Sequence, residues 1–200
     1  MDITKRQMEI VKAAIQVIAQ QGYEKLTTKK LAQSIGVTDA ALYRHFESKK
    51  ELIRMVLCYF EQVSCEVIQR INSLQISPLE KVSRFVLDRY EIFENDPDLA
   101  MVMFSEELFK NDPSFEENLL SIMHIHRDEV MGYIMQGQRI GQIRENLNPM
   151  HLFRMIVGSM RLLVTQWNMS RHAFNLQAEG KSLLNTIIQL IEVKNETSDY

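Results

Sequence analysis

Apolar residues recur at intervals of three and four along nearly the whole chain, a spacing that predicts amphipathic helices. Met8, Val11, Ile15 and Ile18 stripe the first, with Gly22 placed to close it. Leu52, Val56, Tyr59 and Val63 open a long helix reaching about Asn72. Leu79, Val82, Phe85, Tyr90 and Phe93 mark the next, and a shorter one covers about Asp98 to Phe109. Another runs from Pro113 to about Gly137, with Phe115, Leu119, Ile122 and Ile134 inward. Leu152, Met155, Ile156, Met160, Leu163 and Trp167 stripe the helix after Pro149. The last carries Leu183, Leu184, Ile187, Ile188 and Ile191.

Helix starts punctuate this pattern. Thr4 with Gln7, Ser48 with Glu51 and Ser77 with Glu80 fit the capping box, in which hydroxyl and carboxylate or amide satisfy each other's orphan backbone donors. Asp96-Pro97, Asp112-Pro113 and Asn148-Pro149 each set a capping side chain before a proline suited to the first helical position. With seven Gly, four Pro and few alternating β-branched runs, the expected fold class is all-α.

One stretch departs from long helices. Thr27 can cap a short helix to about Ile35 that buries Leu31 and Ile35, while Ala32 permits close approach. Gly36 supplies a tight turn, Val37 plugs the core, and Thr38 caps a second short helix holding Leu42 and Phe46 inward. Two short helices across a glycine turn form a helix-turn-helix, whose second helix lies in the DNA major groove. Its outer face presents Asp39, Ala40, Tyr43 and Arg44, with Ala41 at the edge. Lys29, Lys30, Arg44, His45, Lys49 and Lys50 cluster around it.

Charge then changes the picture. The net charge of −3 argues against nucleic acid if taken whole. Residues 1–50, however, hold nine Lys/Arg against five Asp/Glu, and the remainder holds 14 against 21. A basic head on an acidic body suits a DNA reader attached to a sensing or dimerising domain. No apolar run approaches the roughly 18 residues of a spanning helix, and Lys5, Arg6, Glu9 and Lys12 interrupt any secretory signal. Two cysteines make no disulfide framework, which points to a reducing cytoplasm.

The first 55 or so residues resemble the DNA-binding domain of the TetR family of bacterial regulators. The match comprises Gly22-Tyr23, Thr-Thr-x-x-Leu-Ala (Thr27 to Ala32), Gly-Val-Thr (Gly36 to Thr38), Leu-Tyr-x-His-Phe (Leu42 to Phe46) and Lys-x-x-Leu (Lys49 to Leu52). Gly141 to Arg144, followed by Leu147-Asn148-Pro149, is similar to the family's approach to its eighth helix. The resemblance implies a three-helix DNA-binding domain over 1–47 and a six-helix ligand-binding and dimerisation domain over 48–200. It implies that Thr27, Thr28, Tyr43, His45 and Lys49 hold phosphates of double-stranded DNA. Lys29, Asp39, Ala40, Ala41 and Arg44 approach base edges, with Thr38 at the head of the same helix. Arg44 can pair bidentately with guanine, and Asp39 can accept from cytosine N4. Two positions depart from many relatives: Asp39 replaces Lys, Arg or Pro, and Lys30 replaces an acidic residue, setting a cation at a helix start.

The resemblance further implies a homodimer sealed by the last two helices, with Leu152, Met160, Leu163, Leu184, Ile187, Ile188 and Ile191 in the seam. It also implies repression relieved by an apolar or amphipathic small molecule. Ten of the twelve methionines lie beyond residue 50, which suits either an adaptable pocket or a plain core. Tyr90, Phe93, Phe104, Met123, Tyr133 and Trp167 are the lining candidates, with Tyr90, His126, Arg127 and Arg161 as orienting polar groups. Cys58 and Cys65 stand about 10.5 Å apart along one helix, too far for a disulfide. His124 and Asp128 share a helical face but lack a third ligand, so no metal site is expected. No cofactor motif or catalytic constellation appears, so the chain does not read as an enzyme. Two rivals to the ligand-controlled repressor are a DNA-binding adaptor governed by a protein partner and a small all-α enzyme.

Overall fold

The computed structural model describes residues 3–105 and 113–193. Among them run nine α-helices: α1 (Lys5–Gln21), α2 (Thr28–Ser34), α3 (Asp39–Leu42), α4 (Lys49–Ser73), α5 (Pro78–Asn95), α6 (Pro97–Met103), α7 (Pro113–Arg139), α8 (Pro149–Met169) and α9 (Leu176–Ile191). A single 3-10 turn, Tyr23–Lys25, follows Gly22, whose φ of 86° lies in the region that glycine tolerates best.

Local chemistry explains most of the helix starts. Thr4 and Gln7 form a complete capping box, as do Ser77 and Glu80. At α4 the Ser48 hydroxyl accepts from the Glu51 amide, while the Glu51 carboxylate accepts from the amide of Glu47 rather than of Ser48. Asp96, Asn148 and Asn175 cap α6, α8 and α9 through side-chain oxygens. The expected cap at Asp112 lies outside the described residues, as does the end of the helix expected to reach Phe109. Within the described part, α6 stops at Met103 and Phe104 caps it.

The chain divides into two compact units, and the three divisions fall inside α4, between α5 and α6, and inside α7. The first unit gathers Met1–Glu66 and Asp96–Met123. There α1 packs against α2 and α6, burying Val11, Ala14 and Ile15 with Leu31, Leu42, Phe46, Ile53 and Val102. The second unit gathers Val67–Asn95 and His124–Tyr200. In it α5 packs on α8 and α9 around Val82, Phe85, Tyr90, Ile134, Ile156, Val164 and Leu184. No strand occurs among the described residues. An isolated antiparallel pairing of Ile143 with Glu192 instead ties the end of α9 to the turn after α7, through Arg144 N–H to the Ile191 carbonyl (2.9 Å) and Val193 N–H to the Gln142 carbonyl (3.0 Å).

Candidate nucleic-acid interface and regulatory unit

The helix-turn-helix forms through short-range contacts. The Thr27 hydroxyl accepts from the Lys30 amide at 3.2 Å and starts α2. Gly36, at φ 68°, turns the chain, and the Val37 amide closes the turn on the Ala32 carbonyl at 2.9 Å. The Thr38 hydroxyl then accepts from the Ala41 amide at 3.2 Å to start α3. The second helix is shorter than its sequence pattern suggests: α3 holds four residues, and the chain tightens as the His45 amide reaches the Leu42 carbonyl at 2.9 Å. This tightening still delivers both Leu42 and Phe46 to the core.

Thr27, Lys29, Thr38, Asp39, Ala40, Tyr43 and Arg44 lie exposed, while Thr28, Ala41, His45 and Lys49 are half-buried. The eleven sequence candidates therefore lie along one stretch of the first unit, and none of them is fully buried. Two lysines are tethered. Lys30 Nζ donates to Gln21 Oε1 at 2.7 Å. Lys49 Nζ donates to the Tyr23 carbonyl at 3.0 Å and sits 3.8 Å from the centre of the Tyr23 ring. Beside it a hollow of about 340 Å³ is lined by Thr27, Thr28 and Lys49 together with Glu24, Leu26, Phe46 and Leu52. Tyr23 enters the sequence reading only as half of a family dipeptide; an aromatic placed after a helix-ending glycine is the one signal that pointed to it.

The second unit carries charge in its interior. Asp88 is 1% exposed and bridges Arg70 at 2.8 Å and Arg84 at 2.9 Å. Arg89 is 2% exposed; its Nη2 lies 2.7 Å from His126 Nε2, and its guanidinium is 5.3 Å from the centre of the Phe85 ring. Burial, with Arg89 adding its charge, pushes the His126 imidazole down to about 3. The ring is therefore neutral, and because an arginine can only donate, Nε2 accepts and Nδ1 carries the proton. Burial raises the Tyr90 hydroxyl well above the ordinary phenol range. Burial first, then Glu129, pushes the Tyr133 hydroxyl up to about 12 while it donates to Asn72 Oδ1 at 2.9 Å. A cleft of about 380 Å³ between α5 and α9 is lined by Arg84, Leu87, Asp88, Tyr90, Gln177 and Lys181.

Of the six lining candidates, Tyr90, Phe93, Tyr133 and Trp167 are buried in the second unit, and Tyr90 borders this cleft. Phe104 and Met123 belong to the first unit, where Met123 is exposed. Among the seam candidates, Leu152, Met160, Leu184, Ile187 and Ile191 are buried within the subunit itself, and Leu163 and Ile188 are half-buried. The apolar side chains that α8 and α9 leave outside include Met155, expected inward from its spacing, together with Leu162 (59% exposed) and Leu190 (58%). Asp128 pairs with Arg127 at 2.8 Å, and among the described residues no three His, Cys, Asp or Glu side chains group as metal ligands. No helix among them is long and apolar enough to cross a membrane.

Comparison with known proteins adds a family context to this geometry. Residues 10–56 match the model for bacterial regulatory proteins of the tetR family, and residues 59–190 match that for the C-terminal region of YsiA-like proteins. The fatty acid metabolism regulator protein of Bacillus subtilis (strain 168) is 25% identical over 190 residues, covering 94% of this chain and 96% of that protein. The nucleoid occlusion factor SlmA of Vibrio atlanticus (strain LGP32) is 30% identical over 164 residues, covering 72% of this chain and 83% of its own. The crystal structure of FadR from Bacillus subtilis in complex with stearoyl-CoA superposes with a TM-score of 0.77 at 25% identity, over 90% of this chain and 97% of that one. FadR from Bacillus halodurans shares the fold, with a TM-score of 0.82 at 22% identity over 94% and 97% of the two chains.

Proposed function

The chain belongs to the TetR family of bacterial regulatory proteins, and from that premise we propose how its residues divide the work of a DNA-binding transcriptional regulator. Residues 1–47 read the operator. Thr27, Thr28, Tyr43, His45 and Lys49 hold phosphates, and Lys29, Thr38, Asp39, Ala40, Ala41 and Arg44 face the bases. Residues 48–200 sense and dimerise, with Leu162, Leu163, Ile188 and Leu190 in the seam between copies. A twofold dimer sets two recognition helices about 34–36 Å apart on a near-palindromic site. Such a protein works in the cytoplasm, beside the chromosome.

The effector is an amphipathic thioester of the long-chain acyl-CoA class, and it releases the DNA. The observation that carries this is the likeness to a regulator holding stearoyl-CoA, which extends through both domains rather than the DNA-binding head alone. To move the population from 1:99 to 99:1 the effector must favour the released state by about 10⁴-fold, shared between the two subunits.

The test is footprinting on the DNA around the protein's own gene, followed by anisotropy titrations of the protected fragment with stearoyl-CoA, free CoA and stearate. Stearoyl-CoA alone should displace the DNA at micromolar concentration. Displacement by none of the three would remove the acyl-CoA reading while leaving the regulator standing. In a second reading the chain is a DNA-binding adaptor controlled by a protein partner, and the similarity to a factor named for nucleoid occlusion rather than for metabolism supports it. Its coverage is smaller than that of the fatty acid regulator, so it ranks second.

A further inference from the structure

We propose that Tyr23 is a positioning residue for DNA binding, its ring face and carbonyl oxygen jointly holding the Lys49 ammonium where a DNA phosphate arrives. This rests on the reading of Lys49 as a phosphate holder. Three observations carry it. The ammonium donates to the Tyr23 carbonyl at 3.0 Å, lies 3.8 Å from the ring centre, and borders the hollow lined in part by Thr27 and Thr28. The geometry of the holder is itself fixed. Gly22 turns the chain at φ 86°, and the 3-10 turn that follows aims the Tyr23 carbonyl, which also accepts from the Leu26 amide at 3.1 Å, beneath the start of α4.

A free lysine side chain has four rotatable bonds, and a phosphate contact made by it loses affinity to the ordering of that stem. Here the stem is ordered before DNA arrives. One ring face and one carbonyl leave ammonium hydrogens unused, since the group carries three donors. The holder thus adds no charge to the interface. It determines where an existing charge stands, and that separates its signature from that of Lys49.

The experiment uses the full chain on a mixed-sequence DNA duplex, titrated by anisotropy across a series of salt concentrations. Lys49→Ala should weaken binding and lower the magnitude of the log K against log salt slope by about 0.9 per half-site. Tyr23→Leu, which removes the ring and keeps the backbone carbonyl, should weaken binding about two- to tenfold per half-site with the slope unchanged, because the charge is still present but held by the carbonyl alone. Tyr23→Phe, which keeps ring and carbonyl, should bind like the parent, and Tyr23→Leu on top of Lys49→Ala should cost nothing further.

Full binding by Tyr23→Leu, equal loss in Tyr23→Phe, or an additive double variant would each overturn the proposal while Lys49 kept its role. An unaltered affinity and slope in Lys49→Ala would overturn both. Should Tyr23→Leu not fold, the wild-type chain decides: proton NMR should show the Lys49 ε-methylene signals shifted upfield by the ring current. Unshifted signals would sink the assignment.

Discussion

Acidification should destabilise the second unit through one imidazole. The neighbours of His126 that set its titration are its own burial and the Arg89 guanidinium, which together push the folded group down to about 3. In the unfolded chain the same side chain titrates near about 6.5. Between those values the unfolded state binds a proton that the native state refuses, so stability is complete above about pH 6.5 and falls as the pH drops towards 3. The loss is RT ln(1 + 10^(6.5−pH)), about 1.4 kcal/mol at pH 5.5 and about 2 kcal/mol at pH 5.0. These figures barely move for any folded value below about 4.5, so they depend on the direction of the shift more than on its size. Against a total stability of about 5–15 kcal/mol this is a measurable fraction. His126→Gln supplies the reference, because its side-chain oxygen can still accept from Arg89 and it does not titrate. Urea unfolding of both proteins followed by circular dichroism at pH 7.5, 6.5, 5.5 and 5.0 isolates the imidazole by difference. The wild-type chain should lose about 1.4 kcal/mol more than the variant between pH 7.5 and 5.5. Parallel profiles would show that His126 takes up its proton in the folded protein and that Arg89 does not hold it neutral.

Three further outcomes are expected. A Cβ at Gly180 would stand 2.2 Å from Cε2 of the buried Tyr90 ring, so Gly180→Ala should lower the melting temperature, overpacking of about 1–3 kcal/mol outweighing a helix gain of about 1 kcal/mol. Gly132→Ala, with nothing within 4 Å, should raise it, and a Gly180→Ala protein as stable as wild type would mean that the ring gives way freely. Leu162→Asp and Leu190→Asp should yield folded monomers in sedimentation, because both side chains are outside the subunit core, whereas Leu184→Asp should unfold the subunit; native-sized dimers from both surface variants would move the seam elsewhere. Arg44→Ala should weaken the cognate site by about 1–3 kcal/mol and random DNA far less, and equal losses on both would make Arg44 a phosphate holder.

What the sequence conveyed was local. Thr4 with Gln7, Ser77 with Glu80, Thr27, Thr38 and the Gly36 turn each act within a few residues of themselves, so the helix starts and the helix-turn-helix were readable from spacing. The Tyr23–Lys49 and Arg89–His126 contacts join residues 26 and 37 positions apart, and no periodicity announces such pairs. Which apolar positions of α8 and α9 stay outside the subunit was illegible for a different reason. A helix covered on one side by its own subunit and on another by a second layer is apolar around much of its girth. Spacing along α8 therefore grouped Leu152 and Met160 with Met155, which faces the other way, and passed over the exposed Leu162. The short α3 escaped as well, because Leu42 and Phe46 keep helical spacing even though the backbone between them tightens.

The connection between α8 and α9 has one more consequence. Arg171 and His172 occupy it at φ 56° and 63°, a left-handed pair with no glycine, while the Trp167 indole lies 4.1 Å from the His172 ring and donates to the Phe174 carbonyl at 3.0 Å. Trp167 is the only tryptophan in the chain. Its emission is therefore a label-free gauge of a single joint. Opening that joint admits water to an indole now 3% exposed and shifts its light to longer wavelength. Spectra recorded at fixed pH thus report how the joint responds to an effector, and the protein carries the instrument in its own sequence.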